Sequence, residues 1–128
     1  MTDMNFVFEI GRLTRDPNLS YTAGGTALLK FSIAVNRSQK KGDGWEEYVS
    51  YFDVTVWGNR AESLNKNLAK GKQVAVKGYL DQQRWIDKEG KNQSHVVIVA
   101  DSVQHFGGNQ QQGYQNEAPQ QYDDEIVF

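Results

Sequence analysis

Cysteine and long apolar runs are both missing from this 128-residue sequence. Without cysteine the chain can form no disulfide, no thiolate nucleophile and no thiolate metal site. No apolar stretch is long enough to cross a bilayer, and residues 1–5 lack the basic and apolar segments of a secretory signal. We therefore expect a soluble, cytoplasmic protein that carries no metal and no cofactor.

An excess of basic residues is missing as well, since the formal net charge is -2. The distribution of the charges changes the meaning of that value. All 14 Lys and Arg residues lie between Arg12 and Lys91, whereas four of the 16 acidic residues follow residue 116. The rest of the chain is therefore mildly basic, which is compatible with a nucleic-acid partner.

The composition changes sharply after Phe106. A chain of this length has room for one domain, and we expect that domain over residues 1–105. Residues 106–122 are rich in Gly, Gln and Asn and predict a flexible linker, because they can bury too little apolar surface to offset the entropy of ordering. Residues 123–128 are acidic and then apolar, and we expect them to form a protein-binding tip. The tip consists of Asp123, Asp124, Glu125, Ile126, Val127 and Phe128.

Short β-rich runs separated by turn signals precede that change, with one helical pattern among them. The predicted strands cover residues 5–13, 26–37, 47–57, 72–85 and 94–106, and the predicted helix covers residues 60–70. Asn59 is the predicted N-cap, with Glu62 in a capping-box-like position and Gly71 after the last turn. Residues 38–44 are predicted to be a flexible basic loop, and residues 15–18 a turn. An all-β, five-stranded Greek-key OB barrel has this order, with its helix between the third and fourth strands.

Five short motifs follow one another along these elements. They are Gly11-Arg12-Leu13-Thr14-Arg15-Asp16-Pro17, Tyr21-Thr22-Ala23-Gly24-Gly25, the run from Tyr51 through Trp57-Gly58, Ala69-Lys70-Gly71, and Arg84-Trp85. In this order, over about residues 5–105, they resemble the bacterial and phage single-stranded DNA-binding proteins. The acidic tip resembles the same family, although Val127 stands where the family usually has proline and Glu125 interrupts the usual run of aspartates.

This resemblance implies a protein that coats and protects unpaired DNA strands, with little sequence preference, during replication, recombination and repair. It implies a homotetramer whose dimers form by pairing of first strands. It also implies that the tip recruits replication, recombination and repair proteins, and that the protein lies at the nucleoid and the replication fork. No enzymatic activity is expected.

Aromatic side chains on a non-core strand face would supply flat surfaces on which unpaired bases stack. Tyr51 and Trp57 share one face of the third predicted strand by parity, and the family resemblance assigns the same positions to DNA. Trp85 follows Arg84 where the fourth predicted strand enters its loop. The competing interpretation is that Trp57 packs on the barrel rim and that Tyr51 contacts another subunit.

Two further aromatic residues have open assignments. Family members often have a stacking aromatic just after the second strand, where this chain has Ser38 and Gln39. Trp45, later in the same loop, either stacks on DNA or packs back on its own hairpin. Tyr79 shares an outward face with Lys77 and is equally open. Four phenylalanines are predicted to be core residues or subunit contacts, namely Phe6, Phe8, Phe31 and Phe52.

Basic side chains would neutralise the phosphates of a bound strand. Lys70 and Arg84 also match basic positions of the family. The full set of candidates is Arg12, Arg15, Arg37, Lys40, Lys41, Lys70, Lys72, Lys77, Arg84, Lys88 and Lys91. For any single lysine, a solvated surface charge is the competing interpretation.

Catalysis and metal binding are not favoured by the sequence. His95 and His105 have no carboxylate cluster beside them. Asp53, Asp81 and Asp101 fall on different predicted strands, whereas a nuclease needs clustered carboxylates for its metal and a positioned base. The other alternative, an OB domain that holds proteins or structured RNA, would not need an acidic and apolar tip.

Overall fold

Six β-strands and one short helix make up the part of the chain that the computed structural model describes, which is residues 2–106. They are β1 (Val7–Leu13), β2 (Asn18–Tyr21), β3 (Ala27–Lys41), β4 (Gly44–Trp57), α1 (Asn59–Asn65), β5 (Gln73–Ile86) and β6 (Asn92–His105). The predicted tip, and all of the predicted linker except Phe106, lie outside the described residues.

Five of the strands close into a barrel. Their order is β1-β5-β6-β4-β3, and a further pairing joins β1 to β3, where Arg12 lies opposite Ala34 and Leu13 opposite Ile33. β4 and β6 run parallel, whereas the other neighbouring strands run antiparallel. With α1 between β4 and β5, this is the Greek-key order of the OB fold. The predicted fold class is confirmed.

The inward faces of these strands form the core. Alternation places Leu29, Phe31 and Ile33 of β3 inward, and all three are buried. They pack with Val54, Val56, Val74, Val76, Ile98 and Ala100 of the other strands, and with Ala61, Leu64 and Leu68 of α1 and the segment after it. The predicted core position of Phe31 is confirmed and Phe52 packs partly against the core. Phe6 and Phe8 are exposed and do not belong to it.

The helix is shorter than predicted. α1 ends at Asn65, and Asn59 is its first residue instead of its N-cap. Gly58, with a φ of 86°, occupies the N-cap position, and no side chain caps the helix. Glu62 accepts a hydrogen bond from the hydroxyl of Tyr21 at 2.5 Å, so it does not complete a capping box. Within residues 2–106, no helix has the length and apolar character needed to span a membrane.

Two segments predicted to be turn or loop contain strand. β3 and β4 stay paired as far as Lys41 opposite Gly44, so the loop predicted at residues 38–44 shrinks to a tight turn at Gly42, whose φ is 62°. The short β2 was not predicted; it pairs with the start of β3 across a turn in which Gly25 has a φ of 89°. A strand of four residues is too short to show a clear alternation of apolar and polar positions.

Candidate nucleic-acid interface

The outer face of β4 forms the centre of the candidate surface. Tyr51, Asp53 and Trp57 alternate with inward core residues, so their side chains point away from the barrel interior. Tyr51 is 68% exposed and Trp57 is 49% exposed. The outward direction predicted from strand parity is confirmed for both rings, and their contact with DNA stays a prediction.

β5 carries a second row of aromatic rings. Val99 of β6 lies opposite Thr55 of β4 and also opposite Tyr79 of β5, which places Tyr79 on the same outer face as the β4 aromatics. The pairing of β5 with β6 then continues without a bulge to the end of the hairpin, so Trp85 shares the face of Tyr79. Trp85 is 49% exposed. Tyr51 and Trp57 of β4 and Tyr79 and Trp85 of β5 therefore form two rows of exposed rings on this outer face.

Trp85 also lines a groove of about 560 Å³ at the β5–β6 hairpin. Arg84 lines the same groove, although alternation directs Arg84 and Trp85 to opposite faces of the hairpin. Arg84 Nη2 donates a hydrogen bond to Gln82 Oε1 at 2.7 Å. The ring and the guanidinium are therefore neighbours at the groove without belonging to one strand face.

Asp87 holds the turn of this hairpin. Its Oδ1 accepts the backbone N–H groups of Glu89 and Lys91, both at 2.9 Å, and its Oδ2 accepts Nε2–H of Gln93 at 3.0 Å. These hydrogen bonds, led by that from the Lys91 backbone, lower the pKa of Asp87. The ionised carboxylate thus fixes the turn that carries the predicted cations Lys88 and Lys91.

The β3–β4 hairpin carries two more rings. Trp45 lies opposite Lys40 near the turn and is 71% exposed, which favours an open position over packing on its own hairpin. Tyr48 was not among the predicted site residues. The guanidinium carbon of Arg37 lies 4.6 Å from the centre of its ring, a cation–π contact that pairs charge with an aromatic surface. Both residues fall in predicted strands, but their contact depends on the cross-strand register, which the sequence pattern does not give.

The predicted cations fall into separate groups. Arg37, Lys40 and Lys41 lie on the β3–β4 hairpin, Arg84, Lys88 and Lys91 on the β5–β6 hairpin, and Arg12, Lys70 and Lys72 near the segment between α1 and β5. Lys41 Nζ lies 3.6 Å from Glu46 Oε2, and Lys77 Nζ lies 3.5 Å from Asp101 Oδ1. Exposed pairs of this kind contribute at most about 1 kcal/mol, so a phosphate can replace the carboxylate at little cost.

The third group of cations surrounds a different groove. Arg12 Nη1 donates to the carbonyl oxygen of Gly71 at 3.2 Å, and the backbone N–H of Lys70 donates to Asp16 Oδ1 at 2.8 Å. Arg12 and Lys72 line a groove of about 310 Å³, whose lining includes none of the predicted stacking residues. The sequence analysis grouped all these cations in one interface, whereas in the structure the two hairpin groups lie beside predicted stacking residues and Arg12 and Lys72 line a groove without any.

A polar row crosses the aromatic face. Asp53 Oδ1 accepts a hydrogen bond from Ser32 Oγ at 2.5 Å, and Asp53 Oδ2 lies 2.6 Å from His95 Nε2. The Ser32 hydrogen bond, followed by that of His95, lowers the pKa of Asp53, and the charge of Arg15 adds to the effect. One carboxylate, that of Asp53, therefore lies beside His95, a contact that the sequence analysis did not predict.

Asp53 and His95 are brought together by the parallel pairing of β4 with β6, which no local pattern in the sequence indicates. Across residues 2–106, no group of three or more His, Cys, Asp and Glu side chains is placed to hold a metal ion. The surface therefore combines exposed rings, basic hairpins and one hydrogen-bonded Asp–His pair.

The chain is similar to known proteins over most of its length. The model of the single-strand binding protein family matches residues 4–106. Over 107 residues the chain is 50% identical to the single-stranded DNA-binding protein of Treponema pallidum, covering 84% of this chain and 60% of that protein. It is also 50% identical over 107 residues to the protein of that name from Borreliella burgdorferi, covering 83% of this chain and 72% of that one.

A solved structure has the same fold. The Plasmodium falciparum SSB in complex with ssDNA superposes with a TM-score of 0.77 at 20% sequence identity, covering 83% of this chain and 97% of that one. The likeness in fold therefore extends over nearly the whole of that protein.

Proposed function

The chain belongs to the single-strand binding protein family, and from that premise we propose that it binds unpaired DNA on the outer face of its barrel without altering it chemically. The observation that carries this proposal is the set of four exposed rings in two rows, Tyr51 and Trp57 on β4 and Tyr79 and Trp85 on β5. Stacking accepts any base, and cations accept any phosphate, so such a surface tolerates any sequence.

Unpaired strands appear whenever duplex DNA is opened, and a sequence-tolerant surface suits their transient protection. The chain is therefore proposed to coat single strands during replication, recombination and repair. Its relatives of the same family carry the name single-stranded DNA-binding protein.

Titration with oligo-dT of about 30 nucleotides is expected to quench the tryptophan fluorescence, because Trp57 and Trp85 would stack on bases. The affinity should fall as salt rises, with a linear dependence of log K on log salt concentration, because the basic hairpins release counterions from the phosphates. Fluorescence that does not respond to saturating oligo-dT, together with no retention of the oligonucleotide by the protein, would count against the proposal.

Association into a homotetramer is also proposed, with the first strands of two copies paired. β1 pairs with β3 only at Arg12 and Leu13. Along the first half of β1, the strand edge on the β3 side is therefore not paired with β3. Phe6, 67% exposed, and Ile10 add apolar surface there, and an exposed strand edge is a template for pairing with a second chain.

Light scattering should give the mass of four chains, and Phe6→Lys should lower that mass. A monomeric mass for the unmodified chain would contradict this assembly.

The acidic tip, residues 123–128, is proposed to recruit partner proteins. Its three carboxylates can approach a basic rim by long-range attraction, and its apolar residues Ile126, Val127 and Phe128 can then fill a pocket. The same charges can compete with DNA phosphates for the basic surface of the barrel.

Deleting residues 123–128 should therefore remove the capture of replication and repair proteins while slightly tightening the binding of oligo-dT. The gain in DNA affinity should shrink as salt screens the charges. Val127→Pro is the complementary variant, because preset proline geometry lowers the entropy lost on docking and should strengthen partner binding modestly. Unchanged partner capture after the deletion would leave the tip as a solubilising extension only.

A further inference from the structure

A cleft of about 160 Å³ with both polar and apolar lining opens on the outer face of the barrel. Its polar and charged lining includes Arg15, Lys30, Asp53, Gln83 and His95. Only Arg15 among these was a predicted DNA contact. The stacking of bases on the aromatic rows leaves this cleft without a role.

The cleft lies between the rings of both aromatic rows. Along β4, Asp53 stands between Tyr51 and Trp57 on the same face, and along β5, Gln83 stands between Tyr79 and Trp85. His95 of β6 lies opposite Gln83 and contacts Asp53, so it bridges the two rows. A DNA strand that stacks on rings at both ends of this face must carry part of its backbone across the cleft.

The imidazole in the cleft is held in place and remains accessible. Asp53 Oδ2 lies 2.6 Å from His95 Nε2, and Ser32 Oγ fixes the other carboxylate oxygen at 2.5 Å. Solvent still reaches 48% of the His95 side chain and 47% of the Asp53 side chain. The carboxylate therefore orients the ring without covering it.

The charge of the cleft depends on that ring. Two cations, Arg15 and Lys30, line it together with the anion Asp53. Asp81 of β5, which lies opposite Val97, adds a second anion on the same face. The lining alone therefore carries one net positive charge, which Asp81 offsets from outside the lining, and an imidazolium at His95 would add a further positive charge where a phosphate could bind.

We propose that this cleft is a phosphate subsite of the DNA interface, in which His95 binds the strand as an imidazolium held by Asp53, so that DNA binding takes up a proton. The proposal rests on the proposed function. A phosphate in contact with an imidazole stabilises its charged form. By linkage, a bound strand raises the affinity of His95 for a proton, and a bound proton raises the affinity of the protein for the strand by the same factor.

The test compares the affinity for oligo-dT at pH 6 and pH 8, at constant ionic strength, across the range in which imidazoles titrate. Affinity should rise roughly three- to tenfold at pH 6. His95→Gln, which keeps a hydrogen-bond donor but cannot be protonated, should lose most of that rise. The matched control is His105→Gln, at the other end of β6 opposite Val74, which should keep it.

A second measurement does not depend on the folding of the variants. In the unmodified chain at pH 7, saturating oligo-dT should move the His95 imidazole proton resonances toward their protonated positions. Resonances that stay in place, or a pH dependence that survives His95→Gln, would overturn the subsite. Equal binding of oligo-dT at both pH values contradicts the subsite and leaves the proposed function standing, whereas no binding at either pH contradicts both.

Discussion

Replacing Trp57 and Trp85 together with alanine is expected to weaken the binding of oligo-dT by roughly 2–6 kcal/mol, which is about 30-fold to 10⁴-fold in Kd. Base–aromatic stacking in single-strand-binding domains contributes roughly 1–3 kcal/mol per base, and each of the two substitutions removes one ring. Both rings are half exposed on the outer face. Their truncation leaves no cavity in the core, so the free energy of unfolding should change little.

The matched control is the pair Trp57→Phe and Trp85→Phe, which keeps an aromatic face at each position and should keep most of the affinity. Circular dichroism melting separates this expectation from the alternative in which Trp57 packs on the barrel rim. If Trp57→Ala lowers the melting temperature strongly while the folded fraction binds oligo-dT as before, the ring stabilises the barrel and does not bind DNA.

Gly78→Ala is expected to lower the free energy of unfolding by about 3 kcal/mol or more, because two strands approach too closely for a side chain. A Cβ at Gly78 would lie 2.0 Å from the carbonyl oxygen of Val99 and 2.8 Å from Cα of Ala100. Both obstacles are backbone atoms of the adjacent β6, immediately beside the irregularity between Lys77 and Gly78. Relief of this clash would require β5 and β6 to move apart, which would destabilise the barrel. Urea denaturation should then show a lower midpoint concentration.

Gly44→Ala is the control for that substitution. Its Cβ would have no heavy atom within 4 Å, and its backbone does not require a positive φ. The change in unfolding free energy should stay within about 0.5 kcal/mol. Equal urea midpoints for Gly78→Ala and Gly44→Ala would show that β5 and β6 can accommodate a side chain at Gly78 without loss of stability.

Sequence reasoning succeeded where a physical rule repeats along the chain. Val54 and Val56 alternate with Tyr51 and Trp57, and a period of two assigns each to its face without knowledge of the neighbouring strands. The position of the helix between two strands then restricts the order to an OB barrel. The fold class and the outward direction of the main aromatic rings were therefore predictable.

Sequence reasoning failed where the outcome depends on which distant residues become neighbours. Asp53 and His95 are 42 positions apart and meet only because β4 and β6 pair in parallel. Arg37 and Tyr48 meet through a hairpin register that extends into a predicted loop. No local periodicity encodes either contact.

The helix illustrates a second limit. Asn59 and Glu62 fit a capping box by spacing, yet Gly58 takes the cap position and Glu62 bonds to Tyr21. A tertiary hydrogen bond, between residues 41 positions apart, therefore forms in place of the local capping hydrogen bond. Leu68 is buried in the core, as the apolar spacing indicates, but it lies beyond the end of α1 at Asn65 and not within a longer helix.

The binding of single strands in preference to duplex is tested most directly by competition for a preformed complex with labelled oligo-dT. Unlabelled single strand and duplex of equal length are added at one salt concentration, because affinities at different salt cannot be compared. Exposed rings can stack only on bases whose faces are open, and the faces in a duplex are covered by neighbouring pairs. Single strand should therefore displace the label at far lower concentration than duplex, whereas equal displacement would contradict stacking as the basis of binding.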